Sequence, residues 1–374
     1  MATARLIIAD SEKDANLYYA TRFLAPDPFI FAQVDGYRLM VMSDLELDRA
    51  RAQAKVDEIV SFSRISQAVK QRGVNEPTMA DVIDELLKSR SVQQIEVPGE
   101  FSVSHADELR RRGYAVKPVP GAFFPERMVK SEEEIAKITE TLRITESALE
   151  RAIELIHNSE VKPEGVLWIG NKPLTAELLR TAMHLLMMER GCVAQHTIIA
   201  CGVQAVDPHH EGSGPLKANE PIVIDVFPQH STSRYFADIT RTVVKGRASE
   251  KVKRMFNAVR EGQDIAFRMI KDGVDGSTVH KAIQDSFESL GFRTGEQDGR
   301  MQGFFHGTGH GVGLEIHEPP RISVKPDLLR TGMVVTVEPG LYYLDAGGMR
   351  IEDMVVVTTG GCRVLTEAPK VLEV

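Results

Sequence analysis

Short apolar runs alternate with amphipathic stretches over roughly the first 120 residues. Runs rich in aliphatic residues predict four β-strands, at Leu6–Ala9, Leu39–Met42, Ile95–Val97 and Val116–Val119. Apolar residues that recur every three or four positions predict the helices between them, at Leu45–Phe62, Thr78–Ser89 and His105–Arg112. Helices that alternate with strands in this way indicate an α/β domain.

A change in composition marks the end of this first domain. Residues 118–125 read Pro-Val-Pro-Gly-Ala-Phe-Phe-Pro, and neither a helix nor a central strand continues through so many prolines. We therefore predict two domains, at residues 1–125 and 126–374.

The second domain opens with a long helical pattern. Ser131 and Glu134 have the spacing of a capping box, in which each side chain bonds the backbone N–H of the other residue. Further helices are predicted at Thr175–Arg190, Ser249–Lys271 and Ser277–Leu290. Strands are predicted at Pro221–Phe227, Thr240–Val244, Met333–Glu338 and Met349–Val357. Helices combined with a largely antiparallel sheet predict an α+β domain.

Composition and charge exclude several classes of partner. Lys and Arg number 45 against 53 Asp and Glu, and this formal charge of −8 argues against nucleic acid or an anionic membrane as a partner. Cys192, Cys201 and Cys362 form neither a CxxC pair nor an even disulfide framework, as expected in a reducing compartment. No apolar run has the length of a signal peptide or a membrane-spanning helix, so we expect a cytoplasmic protein.

Acidic residues and one histidine interrupt or end apolar strands of the second domain. They are Asp225, Asp238, His310, Glu338 and Glu352. Taken singly, each residue has an ordinary structural explanation. An acid after a strand is typical of the start of a turn, an acid within a strand is typical of a solvated face, and a histidine among glycines is typical of a loop. Their joint occurrence favours a functional site, because an ionised carboxylate in apolar surroundings is unfavourable unless it is paired or bound to a metal.

Convergence of these groups would require cations. Adjacent carboxylates would repel each other by about 4 kcal/mol at a separation of about 4 Å and an effective dielectric constant of about 20. Two divalent ions would offset that charge. Oxygen ligands with one imidazole suit Mn²⁺, Co²⁺, Fe²⁺ or Zn²⁺ and differ from a cysteine-based structural zinc site. The pattern alone leaves open whether the five side chains converge or face solvent on separate strands.

These motifs, in this order, resemble the metallopeptidase family that includes methionine aminopeptidase, aminopeptidase P and prolidase, whose shared fold is called pita-bread. Segments 16–23 and 43–46 are similar to the N-terminal domain of prolidase, aminopeptidase P and creatinase. The resemblance implies a creatinase-like N-terminal domain over residues 1–125 and a pita-bread catalytic domain with two metal ions over residues 126–374.

The resemblance also assigns roles to residues. It implies that Asp238 and Glu352 bridge two metal ions, that Asp225 binds one ion, and that His310 and Glu338 bind the other. It further implies that His317, His306 and His209 act in catalysis beside Glu338. It implies substrate contacts for His210, Tyr342 and Arg350, and His210 is the alternative to His209 as the upstream histidine.

Two features depart from the family pattern. Phe227 stands where the family usually has glycine, and the loop from Asp225 to Asp238 is longer than usual. Both change the wall of the site near one metal, and neither removes a ligand.

The function implied by the resemblance is metal-dependent exopeptidase activity. The enzyme would hydrolyse the N-terminal Xaa-Pro bond of peptides or dipeptides through a hydroxide that bridges the metals, with Glu338 accepting its proton. The expected cofactor is a pair of Mn²⁺ ions, with Co²⁺, Fe²⁺ or Zn²⁺ as alternatives, in a homodimer acting on peptides with a free N-terminus. Two other functions remain open: a dinuclear-metal enzyme acting on a non-peptide small substrate, and a non-catalytic peptide-binding module.

Overall fold

A computed structural model of the protein describes residues 2–374. The chain forms two compact units, Met1–Pro125 and Glu126–Val374. No helix among the described residues is both long and apolar enough to cross a membrane.

The first unit is built on a six-stranded mixed sheet with the order β4-β3-β2-β1-β5-β6. Its strands are β1 (Ala2–Ala9), β2 (Phe29–Val34), β3 (Tyr37–Met42), β4 (Glu58–Ser61), β5 (Val92–Val97) and β6 (Ala115–Pro118). Its helices are α1 (Ala15–Thr21), α2 (Leu47–Gln53), α3 (Phe62–Gln71), α4 (Met79–Lys88) and α5 (Val103–Arg111). Side chains of α3, α4 and α5 share one apolar cluster with the sheet, and side chains of α1 and α2 share another. The predicted α/β class is confirmed.

One predicted helix of this unit is wrong. The stretch Leu45–Phe62 is not a single helix, because α2 ends at Gln53, β4 follows at Glu58–Ser61, and Phe62 begins α3. The β-branched residues Ile59 and Val60 pair in parallel with β3, and this edge pairing overrides the helical pattern. Helix α1 and strand β2 were not predicted.

The second unit combines four helices with antiparallel strand pairs. The predicted capping box of Ser131 is present, with both of its reciprocal bonds, at the start of α6. The helices are α6 (Glu132–His157), α7 (Ala176–Glu189), α8 (Glu250–Met269) and α9 (Gly276–Ser289). The first strands are β7 (Glu160–Val161), β8 (Leu167–Ile169), β9 (Lys172–Pro173), β10 (Cys192–Val193), β11 (Ile198–Cys201), β12 (Pro221–Val226), β13 (Gln229–His230) and β14 (Ile239–Val244). The remaining strands are β15 (Gly295–Gln297), β16 (Arg300–Gln302), β17 (Gly309–Gly311), β18 (Glu318–Ile322), β19 (Val334–Val337), β20 (Gly340–Tyr343), β21 (Gly347–Arg350), β22 (Asp353–Val357) and β23 (Cys362–Val364).

Two sheets of this unit carry the candidate residues. One has the order β11-β12-β14, and the other has the order β18-β17-β19-β22-β23. Helices α8 and α9 pack on the strands through one apolar cluster that includes Val259, Ile283 and Val335. The predicted α+β class is confirmed.

The predicted strand Met349–Val357 is interrupted. The chain forms β21 up to Arg350 and β22 from Asp353, and β21 pairs with β20 whereas β22 pairs with β19. Between them, the backbone N–H of Glu352 donates to the carbonyl of Thr240 in β14 at 3.0 Å. Glu352 therefore lies where the two sheets meet.

Candidate metal centre and its cavity

The five candidate ligands all lie at this meeting of the sheets. Asp225 is in β12, Asp238 directly precedes β14, His310 is the middle residue of β17, and Glu338 directly follows β19. Glu352 lies between β21 and β22. Antiparallel pairing aligns these elements side by side, so residues distant in sequence reach one cavity.

Four of the five groups are in close contact. Ligand atoms of Asp238, His310 and Glu352 all lie within 4.8 Å of one another. Nε2 of His310 is 3.6 Å from Oδ2 of Asp238 and 3.4 Å from Oε1 of Glu338. Asp225 lies farther along the same wall, where its Oδ2 accepts a 2.6 Å hydrogen bond from Nη2 of Arg350.

Burial makes this cluster electrostatically unfavourable without cations. Two effects raise the pKa of Asp238 and the pKa of Glu352 well above their usual range: the larger is loss of solvent, and the smaller is repulsion from neighbouring carboxylates. Loss of solvent raises the pKa of Glu338 to about 7. Burial lowers the pKa of His310 to about 3, so its imidazole is neutral at physiological pH.

The donor atoms fit divalent cations. Oδ1 of Asp225 and Oδ1 of Asp238 are buried and have no hydrogen-bond partner within residues 2–374. Nδ1 of His310 donates to the carbonyl of Gly311 at 3.1 Å, which leaves the lone pair of Nε2 directed at the carboxylates. Unsatisfied carboxylate oxygens beside a neutral imidazole nitrogen form a ligand set suited to such ions.

Hydroxyl groups of neighbouring strands orient two of the carboxylates. Oγ1 of Thr240 donates to Oε2 of Glu352 at 2.7 Å. Oγ1 of Thr336 lies 3.4 Å from Oε1 of Glu338. The backbone N–H of Glu338 also donates to the carbonyl of Thr308 at 2.7 Å, which ties the end of β19 to the segment before β17.

The cluster forms one wall of a cavity of about 620 Å³. All five candidate ligands line this cavity, and so do His209, His306, His317 and Arg350. The other two predicted site residues do not line it. His210 is exposed, and its Nδ1 accepts a 2.9 Å bond from the N–H of Gly212. Of the two upstream histidines, the structure therefore places His209 at the cavity.

Tyr342 is fully buried behind the cavity wall. Its hydroxyl lies 2.9 Å from Nε2 of His306 and accepts a 2.7 Å bond from Nη1 of Arg350. Tyr342 thus joins two cavity residues instead of facing the cavity itself.

The segment that carries His317 is fixed by buried charges. The ring of His317 stacks edge-on against the ring of His310, with centroids 4.4 Å apart. The next residue, Glu318, is buried and contacts Nζ of Lys130 at 2.5 Å and Nη2 of Arg127 at 3.0 Å. A Cβ on Gly313 would lie 2.7 Å from the Glu318 carboxylate, so a side chain here would displace that carboxylate from its present contacts with Lys130 and Arg127.

Sequence reasoning missed Arg321 as a cavity residue. It lies directly opposite His310 in the β17–β18 pair and lines the cavity. Its guanidinium makes no hydrogen bond or ion pair with any side chain in the described part of the chain. Only strand pairing reveals its position, since β18 contains two prolines and was not predicted as a strand.

The chain is similar to proteins of known family and structure. A profile of metallopeptidase family M24 matches residues 136–359. The Xaa-Pro dipeptidase of Pyrococcus furiosus is 30% identical over 370 residues, which is 96% of this chain and 93% of that protein.

Two solved structures extend this similarity. The X-Pro aminopeptidase of Thermotoga maritima aligns with a TM-score of 0.82 at 26% identity, over 100% of this chain and 97% of that one. The prolidase of Pyrococcus furiosus aligns with a TM-score of 0.77 at 26% identity, over 99% and 97%.

Proposed function

The chain belongs to metallopeptidase family M24, and from this premise we propose that it is an exopeptidase that hydrolyses the bond between an N-terminal residue and a following proline. Its catalytic unit has the pita-bread fold predicted from the sequence. The observation that carries the proposal is the meeting of four carboxylates and one imidazole at one cavity wall, where all of these side chains are buried except Glu338, which is partly buried. Relatives named Xaa-Pro dipeptidase, X-Pro aminopeptidase and prolidase support proline after the cleaved bond.

The metal ligands of this proposal are Asp225, Asp238, His310, Glu338 and Glu352. Bound divalent ions supply Lewis-acid chemistry, in that they lower the pKa of a water molecule and polarise a carbonyl oxygen. The unpartnered oxygens of Asp225 and Asp238 are the part of the site that such ions would complete.

Side chains of the cavity perform the proton transfer and hold the substrate. The Glu338 carboxylate accepts the proton of the attacking water and delivers it to the leaving proline nitrogen. His317 and His209 line the same cavity and donate hydrogen bonds to the carbonyl oxygen of the scissile bond as negative charge develops on it. The contacts of Tyr342 with His306 and Arg350 hold both side chains against the cavity.

Arg321 supports dipeptides as the preferred substrate class. A dipeptide carries a free carboxylate directly after its single peptide bond, so the carboxylate lies close to the reacting atoms. The unpaired guanidinium of Arg321 can form a charge-assisted, two-point hydrogen bond with that carboxylate. In a longer peptide, a neutral amide would occupy the same place.

Further details of the enzyme are also proposals. Carboxylate and imidazole donors suit Mn²⁺ and support a pair of these ions per chain. A homodimer and a cytoplasmic location follow from the family resemblance and the cysteine content. Elemental analysis after Mn²⁺ loading and light scattering of the purified chain test the ion count and the oligomeric state.

Steady-state kinetics on Mn²⁺-loaded protein tests the function. We expect hydrolysis of Ala-Pro and Met-Pro, slower hydrolysis of tripeptides with the same N-terminal pair, and no hydrolysis of Ala-Ala. Glu338→Gln serves as the inactive control, because its amide cannot accept the proton. A fully loaded wild-type protein that hydrolyses none of the proline substrates would refute the proposal.

A further inference from the structure

We propose that Phe227 and Ile198 form an apolar contact surface for the side chain of the substrate's N-terminal residue. This inference rests on the proposed function and assigns a specificity-determining role within the same site. Both side chains line the cavity beside Asp225.

The strand register places these two residues at one end of the cavity. Ile198 lies directly opposite Asp225 in the β11–β12 pair. Phe227 comes directly after the end of β12, two residues after Asp225, and both residues line the cavity. The cavity wall near Asp225 therefore carries two apolar side chains, those of Ile198 and Phe227.

Arg321 is carried by a strand far from β11 and β12 in the order of the strands that line the cavity. Ile198 and Asp225 belong to the sheet with the order β11-β12-β14. The N–H of Glu352, just before β22, bonds to β14 and so joins this sheet to the second one. In the second sheet, the strands that follow β22 are β19, β17 and β18, and β18 carries Arg321. A dipeptide whose carboxylate binds Arg321 thus directs its N-terminal residue toward Phe227 and Ile198.

The backbone around Phe227 is fixed before substrate binds. Pro228 follows it and restricts Phe227 to an extended conformation. The carbonyl of Pro228 accepts a 3.2 Å bond from the N–H of Ala237, and Nε2 of Gln229 donates to the carbonyl of Arg234 at 2.9 Å. Little of this backbone has to become ordered when the substrate binds, so the entropic cost of binding at this surface is small.

The burial of Phe227 leaves part of its ring available. Ile198 is 5% exposed, whereas Phe227 is only half-buried and faces the cavity. A large aliphatic side chain would cover the remaining ring surface and lose contact with water, whereas a glycine substrate has nothing to place there. The surface thus favours large apolar N-terminal residues over small ones.

The test compares Leu-Pro with Gly-Pro in Phe227→Ala, Phe227→Leu and wild-type protein, all loaded with Mn²⁺. We expect wild type to prefer Leu-Pro, and Phe227→Ala to reduce the ratio of the two kcat/KM values by about tenfold, the effect of removing one apolar contact. Most of the loss should come from kcat/KM for Leu-Pro, and Phe227→Leu should retain most of the preference.

Phe305→Ala is the matched control. Phe305 is another half-buried phenylalanine that lines the cavity, but it belongs to neither β11 nor β12, and its ring lies 5.4 Å from that of Tyr342. We expect Phe305→Ala to change kcat/KM for Leu-Pro and for Gly-Pro by the same factor. An unchanged or increased ratio in Phe227→Ala, with wild type active on both dipeptides, would overturn this inference alone. A wild type inactive on both would overturn the proposed function and this inference with it.

Discussion

The hydroxyl of Tyr342 shows how one buried group holds two cavity residues in place. It accepts a bond from Arg350 and pairs with His306, and the side chain has no exposed surface. Removing the oxygen in Tyr342→Phe leaves an Arg350 N–H without its acceptor. We expect a loss of about 1–3 kcal/mol in the free energy of unfolding together with a fall in kcat/KM of about tenfold or more.

Tyr343→Phe provides the comparison for this prediction. The hydroxyl of Tyr343 donates to the carbonyl of Arg293 at 2.9 Å, and Tyr343 does not line the cavity. This variant should also lose stability on urea denaturation, yet keep kcat/KM within about twofold of wild type. Equal kinetic effects of the two substitutions would show that Tyr342 has only a structural role.

At the level of single residues, the local pattern reveals the acids, and the family resemblance adds Arg350, but neither reveals Arg321. Asp225 and Glu338 are recognisable because a carboxylate inside or at the end of an apolar strand is unusual. Arg321 follows two prolines and has the local pattern of a solvated loop residue. Its place at the cavity depends on its pairing with His310, which no local pattern encodes.

Among the elements, the close approach of β17 and β19 depends on Gly309. A Cβ on this residue would lie 1.9 Å from the backbone oxygen of Thr336, and a backbone atom cannot move aside as a flexible side chain can. Gly309→Ala should therefore separate the strands that carry His310 and Glu338. We expect loss of about 4 kcal/mol or more in unfolding free energy, measured by chemical denaturation.

Gly361→Ala is the matched control for Gly309→Ala. Nothing lies within 4 Å of the Cβ that it would add, and its backbone φ is not positive. It should change stability by less than about 0.5 kcal/mol. A well-folded Gly309→Ala protein with unchanged metal content would contradict the prediction.

The start of β18 depends on a buried ion pair. Lys130→Met removes the 2.5 Å partner of the Glu318 carboxylate, which is 4% exposed, and leaves it with Arg127 at 3.0 Å. Breaking a buried pair destabilises proteins by about 3–5 kcal/mol when the remaining charge is uncompensated. Because Arg127 remains, we expect a loss of about 3 kcal/mol in the free energy of unfolding, measured by urea denaturation. Lys251→Met is the control, because it removes the exposed partner of Asp345. It should lower the free energy of unfolding by about 1 kcal/mol or less. Similar losses in the two variants would contradict the prediction.

The elements that sequence reasoning mistook share a physical cause. In both predicted elements the local apolar pattern is continuous. The chain of Leu45–Phe62 nevertheless passes from a helix to an edge strand and back to a helix, and that of Met349–Val357 changes its strand-pairing partner partway. Glu352 occupies such a change, and its N–H bonds to Thr240 instead of to a strand of its own sheet. Tertiary pairing decides these boundaries, so local periodicity cannot locate them.

At the scale of the whole molecule, the fold holds together a cluster of charge that its own side chains do not neutralise. Four carboxylates meet there, and among them Arg350 pairs with Asp225 through a 2.6 Å bond. The sheets must therefore supply enough packing energy to oppose repulsion between buried acids, unless cations are bound. Stability and metal content should consequently be coupled, and the coupling should depend on pH.

Chelation should destabilise the protein more at high pH than at low pH. In metal-free protein, burial raises the pKa of Glu338 to about 7 and raises the pKa values of Asp238 and Glu352 as well. A carboxyl whose pKa is higher in the folded than in the unfolded state stabilises the fold below its unfolded pKa. That contribution disappears as pH rises through the folded pKa, at up to about 1.4 kcal/mol per pH unit per proton.

Bound Mn²⁺ offsets the same charges, so the difference in Tm between Mn²⁺-loaded and EDTA-treated protein should grow from pH 5 to pH 8. Thermal denaturation at three pH values measures this difference. Glu352→Gln removes one of the titrating groups and should flatten the pH dependence of the EDTA-treated protein. A Tm difference that stays constant over this range would mean that the buried carboxylates are not what opposes the metal-free fold.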